Sequence, residues 1–557
     1  MLALLRQLFN RPLFTFELLA ISFFINFLGL ATSIYVIQVL NRYVSHGIDA
    51  TLLTLTVGVL FAIVLEFFFR QLRLKLAQGV TVSPAYKLLM MVFTQIVVIR
   101  SALLNHLNSG QRREIATSPG TIAKIYGPNT LSTILDLPFA IMFVGVLYLL
   151  QVEVAIVASI FIVAAFFVAA ISHVPLKTPL QQQAKAANEA GAMAVSSMRC
   201  PDVARAFNAQ PQLLDSWQQK QTTAIGEGRK VESRRTFLQS LTKTIGALMG
   251  VAVIGVGAKL TVAGEMDMGL MIGANILAAR AMAPIIAFAQ LGSSLTEAKR
   301  AIELLSGFSK LKHEHQKGRD LPNLDGGLFV DNVSFTHLNE KNPIFESLSF
   351  EIPHGQSLLV IGGNGEGKTT LARILMGLLE TTRGQISING IDMSQISLSW
   401  WRKQVAYLPQ EPDFFDGTIR ENLMTLNSSI TEEQLIAVTT EAGLNKFLHN
   451  HPKGLDAQII NDGANLAAGV RKRLALARAL TSDNKIAVFD EPMEGMDASG
   501  RTAVSNVLGS FIRNKKSVII FSHDAGLVSG TDMVLDLDQK PTPKLTYRTS
   551  SLRGKNE

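Results

Sequence analysis

The sequence predicts a multi-domain membrane protein with an all-α N-terminal half and an α/β C-terminal half. Six apolar runs of about 20 residues, the length that spans a bilayer as a helix, all lie before residue 292. From Leu328 onward, short β-rich runs alternate with helical stretches, which is typical of an α/β domain with a parallel sheet. Hydrophobic residues make up 48% of the 557 residues, as expected of a chain that is part membrane and part soluble.

We place the domain boundaries where the composition changes. The predicted transmembrane domain covers residues 1–305, a linker covers 306–327, and the α/β domain covers 328–557. The linker is polar and charged and contains proline and glycine, which interrupt regular structure. The single cysteine excludes an internal disulfide.

The N-terminal half is predicted to cross the membrane six times. The predicted spans are residues 17–40, 50–69, 131–150, 152–171, 244–262 and 268–291. The long segments after the second and fourth spans are rich in lysine and arginine, whereas the opposite loops nearly lack them. Because positively charged segments stay in the cytoplasm, these segments and the C-terminal domain are predicted to be cytoplasmic.

The membrane topology also accounts for the basic character of the chain. Much of the formal net charge of +8 lies in the two long segments on the cytoplasmic side. A basic chain can bind nucleic acid, but here the charge is explained by orientation in the membrane. We therefore expect membrane lipids, and no nucleic acid, among its partners.

Charged residues within the spans are candidates for function, because burying a charge in a bilayer is costly. Glu66, Asp136, Lys243 and Arg280 lie within or at the ends of predicted spans. Each can equally be an interfacial residue that pairs with a neighbour or extends toward the headgroups. The sequence leaves both interpretations open.

A glycine-rich loop in the C-terminal half fits the pattern of a phosphate-binding loop, G-x-x-x-x-G-K-[ST]. It follows a buried strand predicted at Ser357–Ile361 and precedes a helix that includes Thr370. Glycine lets the backbone turn its N–H groups toward phosphate oxygens, and the helix N-terminus adds positive potential. Lys368 can reach the phosphates, and the Thr369 hydroxyl can bind Mg²⁺. The loop consists of Gly362, Gly363, Asn364, Gly365, Glu366, Gly367, Lys368 and Thr369.

Two acidic residues end a second apolar strand, at 486–489, in the same domain. Asp490 is suited to bind Mg²⁺ beside Thr369, and Glu491 stands where a general base can activate a water molecule. An acidic pair after a strand is common by itself. Downstream of a phosphate-binding loop, it predicts ATP hydrolysis with Mg²⁺.

With these residues in view, the C-terminal half resembles the nucleotide-binding domain of ABC transporters. Gln410 matches the Q-loop of that family, which implies a metal and water contact. His523 matches the switch histidine at the γ-phosphate, and Asp497 matches the D-loop aspartate. The resemblance thus implies that Glu491, His523, Gln410 and Lys368 are catalytic, and that Thr369, Gln410 and Asp490 hold the metal ion.

The sequence departs from the family pattern at two positions. The signature Leu-Ser-Gly-Gly-Gln, which completes the ATP site of the other subunit, is replaced here by Leu466, Ala467, Ala468, Gly469 and Val470. The missing serine puts hydrolysis at that site in doubt. The aromatic residue that stacks on adenine in the family is replaced by His337, whose ring is smaller than that of tyrosine.

The N-terminal half resembles the membrane domain of type I secretion exporters, in residues 24–44 and again in 135–139. This resemblance implies an exporter-type transmembrane domain in a bacterial inner (plasma) membrane. It also implies a polypeptide cargo, a periplasmic adaptor and an outer-membrane channel. Because one chain supplies one membrane half and one nucleotide-binding domain, a second subunit is implied, and a homodimer is favoured.

Three alternatives stay open from the sequence. The chain can be one half of a heterodimeric exporter in which the partner carries the intact signature. It can export lipids, drugs or small peptides on the same scaffold. It can also be a membrane-bound regulator that binds ATP without transport. The sequence identifies neither the cargo nor the organism.

Overall fold

The computed structural model describes residues 12–44, 49–125, 127–171, 176–314, 318–324, 326–337, 340–524, 530–539 and 542–547. The chain divides into two compact units. The first comprises Met1–Ile99 and Leu103–Lys312, and the second comprises Arg100–Ala102 and His313–Glu557. The predicted linker begins inside a helix that continues to Ser309. The exact domain boundaries stay a prediction.

The described residues of the first unit form helices that are joined by short loops. Its helices are α1 (Pro12–Gln38), α2 (Asp49–Val98), α3 (Ser101–Asn105), α4 (Ser109–Ile125), α5 (Pro128–Asp136), α6 (Phe139–Leu150), α7 (Val152–Ile171), α8 (Lys177–Arg199), α9 (Pro201–Ala206), α10 (Gln210–Val262) and α11 (Met268–Ser309); a π-helical turn, Val39–Tyr43, extends α1. The short helix α3 begins within the segment that groups with the second unit.

Six helical segments of the described chain are long and apolar enough to cross a membrane, as the sequence predicts. They are Pro12–Tyr43, Asp49–Gly79, Ser109–Leu150, Val152–Ile171, Gln210–Val262 and Met268–Ser309. The helices of the second, fifth and sixth segments extend well beyond the apolar runs. Parts of the long basic segments after the second and fourth predicted spans are therefore helical.

Small side chains let the central spans of this unit approach closely. Ala155, Ala158 and Ala165 on α7 are fully buried, and so are Ala274 and Ala278 on α11. Both helices contribute to one apolar cluster, together with Met249 and Val253 of α10. Close backbone approach at small residues is the usual way in which helices pack in lipid, where no hydrophobic force drives them together.

A buried ion pair joins three helices of the first unit. The Arg73 guanidinium on α2 donates to both carboxylate oxygens of Asp136 on α5, at 2.5 and 3.1 Å. It also donates to the Ser22 hydroxyl on α1, at 3.1 Å. The Asn26 amide on α1 donates to Asp136 Oδ1 at 3.2 Å. Arg73 is 7% exposed and Ser22 is fully buried, so this network fixes the three helices to one another.

The other charged residues in the spans have different surroundings. Glu66 pairs with Arg70 one turn later on α2, at 2.5 Å. Arg280 on α11 donates to the Thr32 hydroxyl on α1, at 3.3 Å. Lys243 on α10 is exposed. Glu66 and Asp136 are therefore neutralised within the unit, which accords with the interpretation of these two as paired residues.

The second unit is built on two main sheets. Its strands are β1 (Leu328–Phe335), β2 (Phe345–Ile352), β3 (Ser357–Ile361), β4 (Arg383–Ile388), β5 (Ile391–Asp392), β6 (Val405–Leu408), β7 (Gly417–Thr418), β8 (Gln458–Ile459), β9 (Ile486–Asp490), β10 (Ser517–Phe521), β11 (Met533–Asp536) and β12 (Lys544–Tyr547). The six-stranded sheet has the order β12-β11-β3-β10-β9-β6, and all its strands except β12 run parallel. A four-stranded antiparallel sheet, β2-β1-β4-β5, was not predicted.

The helices of this unit are short. They are α12 (Lys368–Leu375), α13 (Leu398–Gln404), α14 (Ile419–Leu423), α15 (Glu432–Glu441), α16 (Asn445–Asn450), α17 (Ala468–Ala479) and α18 (Ala498–Arg513), and single 3₁₀ turns lie at Met393–Gln395, Gly454–Asp456 and Asn461–Gly463.

The parallel sheet is buried on both faces, as its continuous apolar strands predict. Along β3, Leu358 and Val360 pack into one core cluster, whereas Leu359 packs into the other. This alternation follows from the two-residue period of a strand. The strands predicted at Leu328–Phe335, Ser357–Ile361 and Ser517–Phe521 have those bounds in the structure.

The ion pair of the first unit provides a test of its packing. We expect Arg73→Met alone to lower the thermal unfolding midpoint of the chain in lipid nanodiscs, because Asp136 then keeps a charge without a partner. Breaking a buried pair costs about 3–5 kcal/mol, and the partial exposure of Asp136 places the expected loss below that range. The double variant Arg73→Met/Asp136→Leu should recover part of this loss. Lys243→Met, outside the network, serves as the control, and strictly additive single changes would contradict the coupling.

Candidate functional site

The carboxyl ends of four parallel strands bring the predicted site residues together. The glycine-rich loop follows β3, Gln410 follows β6, Glu491 follows β9, and His523 follows β10. Ligands bind at this edge of open α/β sheets, because the loops after parallel strands meet there. The register places Phe521 of β10 beside both Val360 of β3 and Asp490 of β9.

The glycine-rich loop adopts a backbone that only glycine accepts readily. Gly365 has φ of +91° and Gly367 has φ of +98°. A Cβ atom at Gly367 would lie 2.5 Å from the Ile344 side chain, so a larger residue cannot fit there. Helix α12 begins directly after Gly367. The loop thus ends at a helix N-terminus, where backbone N–H groups remain free for an anion.

Lys368 is held over this loop. Its ammonium donates to the carbonyl oxygens of Gly362 and Gly363, at 2.6 and 3.1 Å. The Nζ atom also lies 3.6 Å from the Glu491 Oε1 atom, and both side chains are almost fully buried. The lysine that is predicted to contact phosphate and the predicted general base therefore face the same space.

Glu491 occupies a strained position at the end of β9. Its φ is +45°, a conformation that costs a non-glycine residue about 1–2 kcal/mol. The Glu491 N–H donates to the Phe521 carbonyl at 2.8 Å, which holds the peptide against β10. Strain of this kind persists where the surrounding structure fixes it, and it concentrates at active sites.

The Glu491 carboxylate contacts two residues that follow β10. The His523 Nδ1 atom lies 2.9 Å from Glu491 Oε2, and the Ser522 hydroxyl donates to the same oxygen at 3.3 Å. In the neutral tautomer that donates Nδ1–H to this carboxylate, the His523 ring keeps Nε2 as an acceptor. The His523 side chain is 64% exposed, so its far side can reach a ligand.

Asp490 has a buried carboxylate that lacks a hydrogen bond of ordinary geometry. Both oxygens are inaccessible to solvent, and neither has such a partner among the described residues. Burial raises the pKa of Asp490 above its usual value, and the charge of Glu491 adds to the rise. The nearby Thr369 hydroxyl and the charges of Lys368 and Lys472 lower the pKa in opposition. An orphaned buried carboxylate of this kind is suited to a cation.

The other two predicted metal ligands lie beside each other. The Thr369 hydroxyl donates to the Gln410 Oε1 atom at 3.2 Å, and the Gln410 amide donates to Glu494 at 3.0 Å. Hydroxyl, amide and carboxylate oxygens are the donor types that Mg²⁺ prefers. Thr369, Gln410 and Asp490 therefore fit the requirements of a magnesium ion, although their roles as ligands stay a prediction.

The remaining predicted nucleotide contacts lie in the same loop, in α12 and after β1. Asn364 is exposed at its tip, and Glu366 and Thr370 are partly exposed. His337, at the end of β1, stands edge-on to the Phe335 ring with the centroids 5.1 Å apart. The imidazole thus has a second aromatic ring beside it, and its stacking on adenine stays a prediction.

The segment in place of the family signature opens helix α17. The helix begins at Ala468, and Ala467 stands at the N-cap, where no side chain accepts a backbone N–H. Leu466 packs against the apolar core. A Cβ atom at Gly469 would lie 3.8 Å from the Gly495 carbonyl oxygen, so the start of α17 lies against the loop that follows Glu491.

Asp497 caps the next helix. Its carboxylate accepts the Gly500 N–H at 2.8 Å and pairs with Arg473 of α17. The hydrogen bond from Arg473 is the main cause that lowers the pKa of Asp497, with the Gly500 N–H next. Asp497 therefore stays ionised and ties α18 to α17.

The structure adds two residues that the sequence did not indicate. Asp538, in the turn after β11, accepts the Gly363 N–H of the phosphate-binding loop at 2.7 Å. Lys472 of α17 donates to the Glu491 carbonyl at 2.5 Å. Asp538 lies 175 residues from Gly363, and no local pattern signals the contact. Lys472 could have been noticed as a lysine at a position that the helix period places inside.

Two protein-family models match this chain, one in each half. The family model of the ABC transporter transmembrane region matches residues 15–285. The ABC transporter model, which describes the ATP-binding domain, matches residues 345–494. The two matches lie in the order that the sequence predicts and together cover most of the chain.

Curated relatives match nearly the whole chain. The leukotoxin translocation ATP-binding protein of a Pasteurella haemolytica-like species is 24% identical over 528 residues, which are 94% of this chain and 74% of the relative. The alpha-hemolysin translocation ATP-binding protein of Escherichia coli O157:H7 is 24% identical over 527 residues, with the same two shares. The chain is also similar to a solved bacterial Atm1-family ABC exporter with ATP bound, with a TM-score of 0.83, 18% identity and coverage of 96% and 95% of the two chains.

We expect the buried Asp490 carboxylate to destabilise the folded chain when no cation is bound, although the same carboxylate is suited to bind that cation. Without nucleotide and with divalent ions chelated, we expect Asp490→Asn to raise the thermal unfolding midpoint of the chain by ~2–4 °C at pH 7, because the variant no longer buries a charge. Burial raises the folded-state pKa of Asp490. The gain should therefore vanish as the pH falls through that pKa toward the ordinary aspartate value, where the wild-type carboxyl is also protonated.

The matched control is Asp483→Asn, since Lys485 and Lys516 hold the pKa of that exposed carboxyl low. No gain is expected for this control at any pH. An Asp490→Asn variant that unfolds at or below the wild-type midpoint at pH 7 would show that the carboxylate is compensated.

Proposed function

The chain belongs to the ABC transporter family, and we propose that it is the ATPase and permease subunit of a type I secretion system that exports a polypeptide. The transmembrane unit and the ATP-binding unit lie in one chain, which is therefore a multi-pass membrane protein with an ABC-type ATPase domain. The observation that carries the proposal is the match over 94% of the chain to a leukotoxin and an alpha-hemolysin translocation ATP-binding protein.

The geometry supports ATP hydrolysis by this chain. Lys368 and Glu491 face one space beside the phosphate-binding loop, with Nζ and Oε1 3.6 Å apart. In the proposed reaction, Lys368 contacts the phosphates of ATP and stabilises the charge that develops on them. Glu491 accepts a proton from the attacking water, and His523 orients the Glu491 carboxylate through its Nδ1–H.

Asp490, Thr369 and Gln410 are the residues that we propose to hold Mg²⁺ with ATP. When bound, the ion supplies positive charge to the phosphate oxygens. The chain itself contributes an orphaned buried carboxylate and a hydroxyl that already contacts the amide oxygen of Gln410. The Asp490 carboxylate is also shielded from water, because the residue is fully buried.

ABC exporters function as dimers, and each site needs the helix α17 of a second subunit. We propose a homodimer, in which Leu466 to Gly469 and Asp497 of one chain complete the site around Lys368 of the other. The N-terminus of α17 supplies backbone N–H groups for this contact even without a signature serine. Binding and hydrolysis of ATP then switch the spans between two arrangements.

The proposed setting is the bacterial inner membrane, with the nucleotide-binding domain in the cytoplasm. The support is the excess of basic residues in the long segments after the second and fourth spans. By analogy with the toxin translocators, a periplasmic adaptor and an outer-membrane channel are proposed as partners. The cargo is proposed to be a polypeptide, by analogy with the relatives that are named for translocation of a leukotoxin and of alpha-hemolysin.

One observation favours a second assembly. Ala467 leaves helix α17 without a side-chain cap, and the family serine is absent. In a heterodimer, a related partner with an intact signature would complete the site that holds Lys368 and Glu491. The weak signature of this chain would then cover the site of the partner.

ATPase activity of the chain purified alone in lipid nanodiscs tests the proposal. We expect turnover that Glu491→Gln lowers by about a hundredfold or more, since general-base catalysis contributes about 10²–10⁴. Glu346→Gln, on the exposed face of β2, is the matched control and should keep full turnover. Stimulation by the C-terminal segment of a secreted protein, and not by lipids or drugs, would support the polypeptide cargo; ATP binding without turnover would instead favour the heterodimer.

Restoring the signature provides a separate test of the homodimer. We expect Ala467→Ser/Ala468→Gly to raise turnover by about tenfold to a hundredfold, because it returns a donor to the site of the second copy. The serine should also stabilise α17, since an N-cap residue contributes about 0.5–2 kcal/mol. Ala437→Ser, on the exposed face of α15, is the control. A chain with raised thermal stability and unchanged turnover would argue that α17 does not complete a site in a second copy.

A further inference from the structure

Lys472 is a buried lysine behind the catalytic loop, and the proposed reaction does not use it. It lies one turn into α17, the helix that opens with the signature segment. Only 4% of the residue is exposed. Lysine is rarely buried to this degree unless its ammonium has partners. The contacts of its ammonium therefore indicate what the residue does.

The ammonium binds two carbonyl groups of the loop that follows β9. The Nζ atom donates to the Glu491 carbonyl at 2.5 Å and to the Glu494 carbonyl at 3.1 Å. These carbonyls belong to the two ends of the turn Glu491–Glu494, in which the Glu494 N–H also bonds the Glu491 carbonyl at 3.2 Å. One cation thus fixes both ends of the turn that carries the proposed general base.

The Glu491 peptide needs such support. With φ of +45°, the residue is in the left-handed region, which a non-glycine side chain disfavours. The Glu491 N–H is anchored to the Phe521 carbonyl on one side. Lys472 anchors the Glu491 carbonyl on the other side. The direction of the carboxylate toward Lys368 and His523 follows from this backbone, because the side chain leaves from the same Cα atom.

Arg473, the next residue, extends the contact along the chain. Its guanidinium pairs with Asp497 and donates to the Ser499 hydroxyl at 2.8 Å. It also donates to the Gly443 carbonyl at 2.9 Å. Two consecutive basic residues of α17 therefore hold the whole segment from Glu491 to Ser499.

We propose that Lys472 is a positioning residue that sets the Glu491 carboxylate and couples the signature helix to the catalytic turn of the same chain. The inference rests on the proposed function, in which α17 completes the ATP site of a second subunit. A nucleotide that contacts α17 from that subunit then acts, through the Lys472 ammonium, on the Glu491 peptide of this chain. Each chain thus carries a direct link between the two ATP sites.

A charged donor suits this position better than a neutral one. Lys472 bonds two carbonyls, and it lies near the carboxylates of Asp490, Glu491 and Glu494. Burial lowers the pKa of Lys472, and these three acidic groups oppose that effect. Charge-assisted hydrogen bonds are stronger and shorter than neutral ones, so the ammonium holds the turn more firmly than an amide would.

The first measurement is hydrogen–deuterium exchange on the purified full-length chain in nanodiscs without nucleotide. We expect Lys472→Met to speed exchange at the amides of residues 491–497, because the turn loses its anchor. Arg478→Met is the matched control, since it removes a half-buried cation of α17 that bonds the Asp413 carbonyl instead. The control should leave exchange at 491–497 unchanged. Unchanged exchange in Lys472→Met would overturn the inference whether or not the chain hydrolyses ATP alone.

The second measurement is the ATP dependence of turnover. Lys472 touches no predicted nucleotide contact, so Lys472→Met should lower kcat on the order of tenfold while KM for ATP stays within about twofold. Any Hill coefficient above one in the wild type should fall toward one, because the link between the sites is cut. Lys472→Gln keeps a donor of similar length and should recover part of kcat. A variant that merely folds poorly would not combine a lower kcat with an unchanged KM for ATP.

The outcomes separate this inference from the proposed function. Wild-type turnover that depends on Glu491, together with an unaltered kcat in Lys472→Met, would overturn the inference and leave the transporter assignment intact. Wild-type protein without turnover, together with faster exchange at 491–497 in Lys472→Met, would contradict the active homodimer and retain Lys472 as the anchor of the turn.

Discussion

The parallel pairing of β3, β9 and β10 is the constraint on which the site depends. Ile519 of β10 lies opposite Leu358 of β3 and Val488 of β9, and the strands run in the same direction. All three strands therefore end at one edge of the sheet, and the phosphate-binding loop, Glu491 and His523 follow them there. A slip of one residue in this register would turn every side chain of the slipped strand to the opposite face and separate Lys368 from Glu491.

The site combines backbone strain with buried charge. Glu491 has a left-handed backbone, and Lys368 is almost fully buried beside it. The Asp490 carboxylate is buried and has no ordinary hydrogen bond to the part of the chain that the structure describes. Each feature costs stability in the isolated chain, and each is suited to a bound nucleotide with its cation. The surrounding sheet offsets this loss of stability, because β3, β9 and β10 are buried on both faces. A rigid apolar core thus permits a locally unfavourable arrangement of functional groups.

In the transmembrane unit, by contrast, acidic residues of the spans are paired with arginine. Glu66 and Asp136 are each neutralised by an arginine of the same unit, and Asp136 also joins α5 to α1 and α2. Pairing lowers the cost of placing a carboxylate near the hydrocarbon region, and it fixes the relative positions of the helices that contribute to it. The central spans pack through alanine, so polar contacts of this kind specify an arrangement that apolar contacts alone would leave loosely defined.

The sequence by itself determined the fold class, the six spans and the strands that end at the site. These features are local in the sequence. An apolar run of fixed length can be recognised without knowing its neighbours in the fold. The same holds for the glycine pattern and for the apolar strand followed by two acidic residues. The tertiary structure decided the rest. The antiparallel sheet β2-β1-β4-β5, the Arg73–Asp136 pair and the contact of Asp538 with the phosphate-binding loop join residues far apart in the chain.

The contacts of Lys472 were likewise decided by the tertiary structure and not by the sequence alone. Its sequence context predicts a helix rich in basic residues, and the helix period places Lys472 on the inner face without indicating which groups its ammonium contacts. Only the packing of α17 against the loop after β9 places its ammonium on the Glu491 carbonyl. Sequence periodicity reports which face of an element is apolar, whereas the partners of a buried polar group depend on contacts between elements that the chain brings together only by folding.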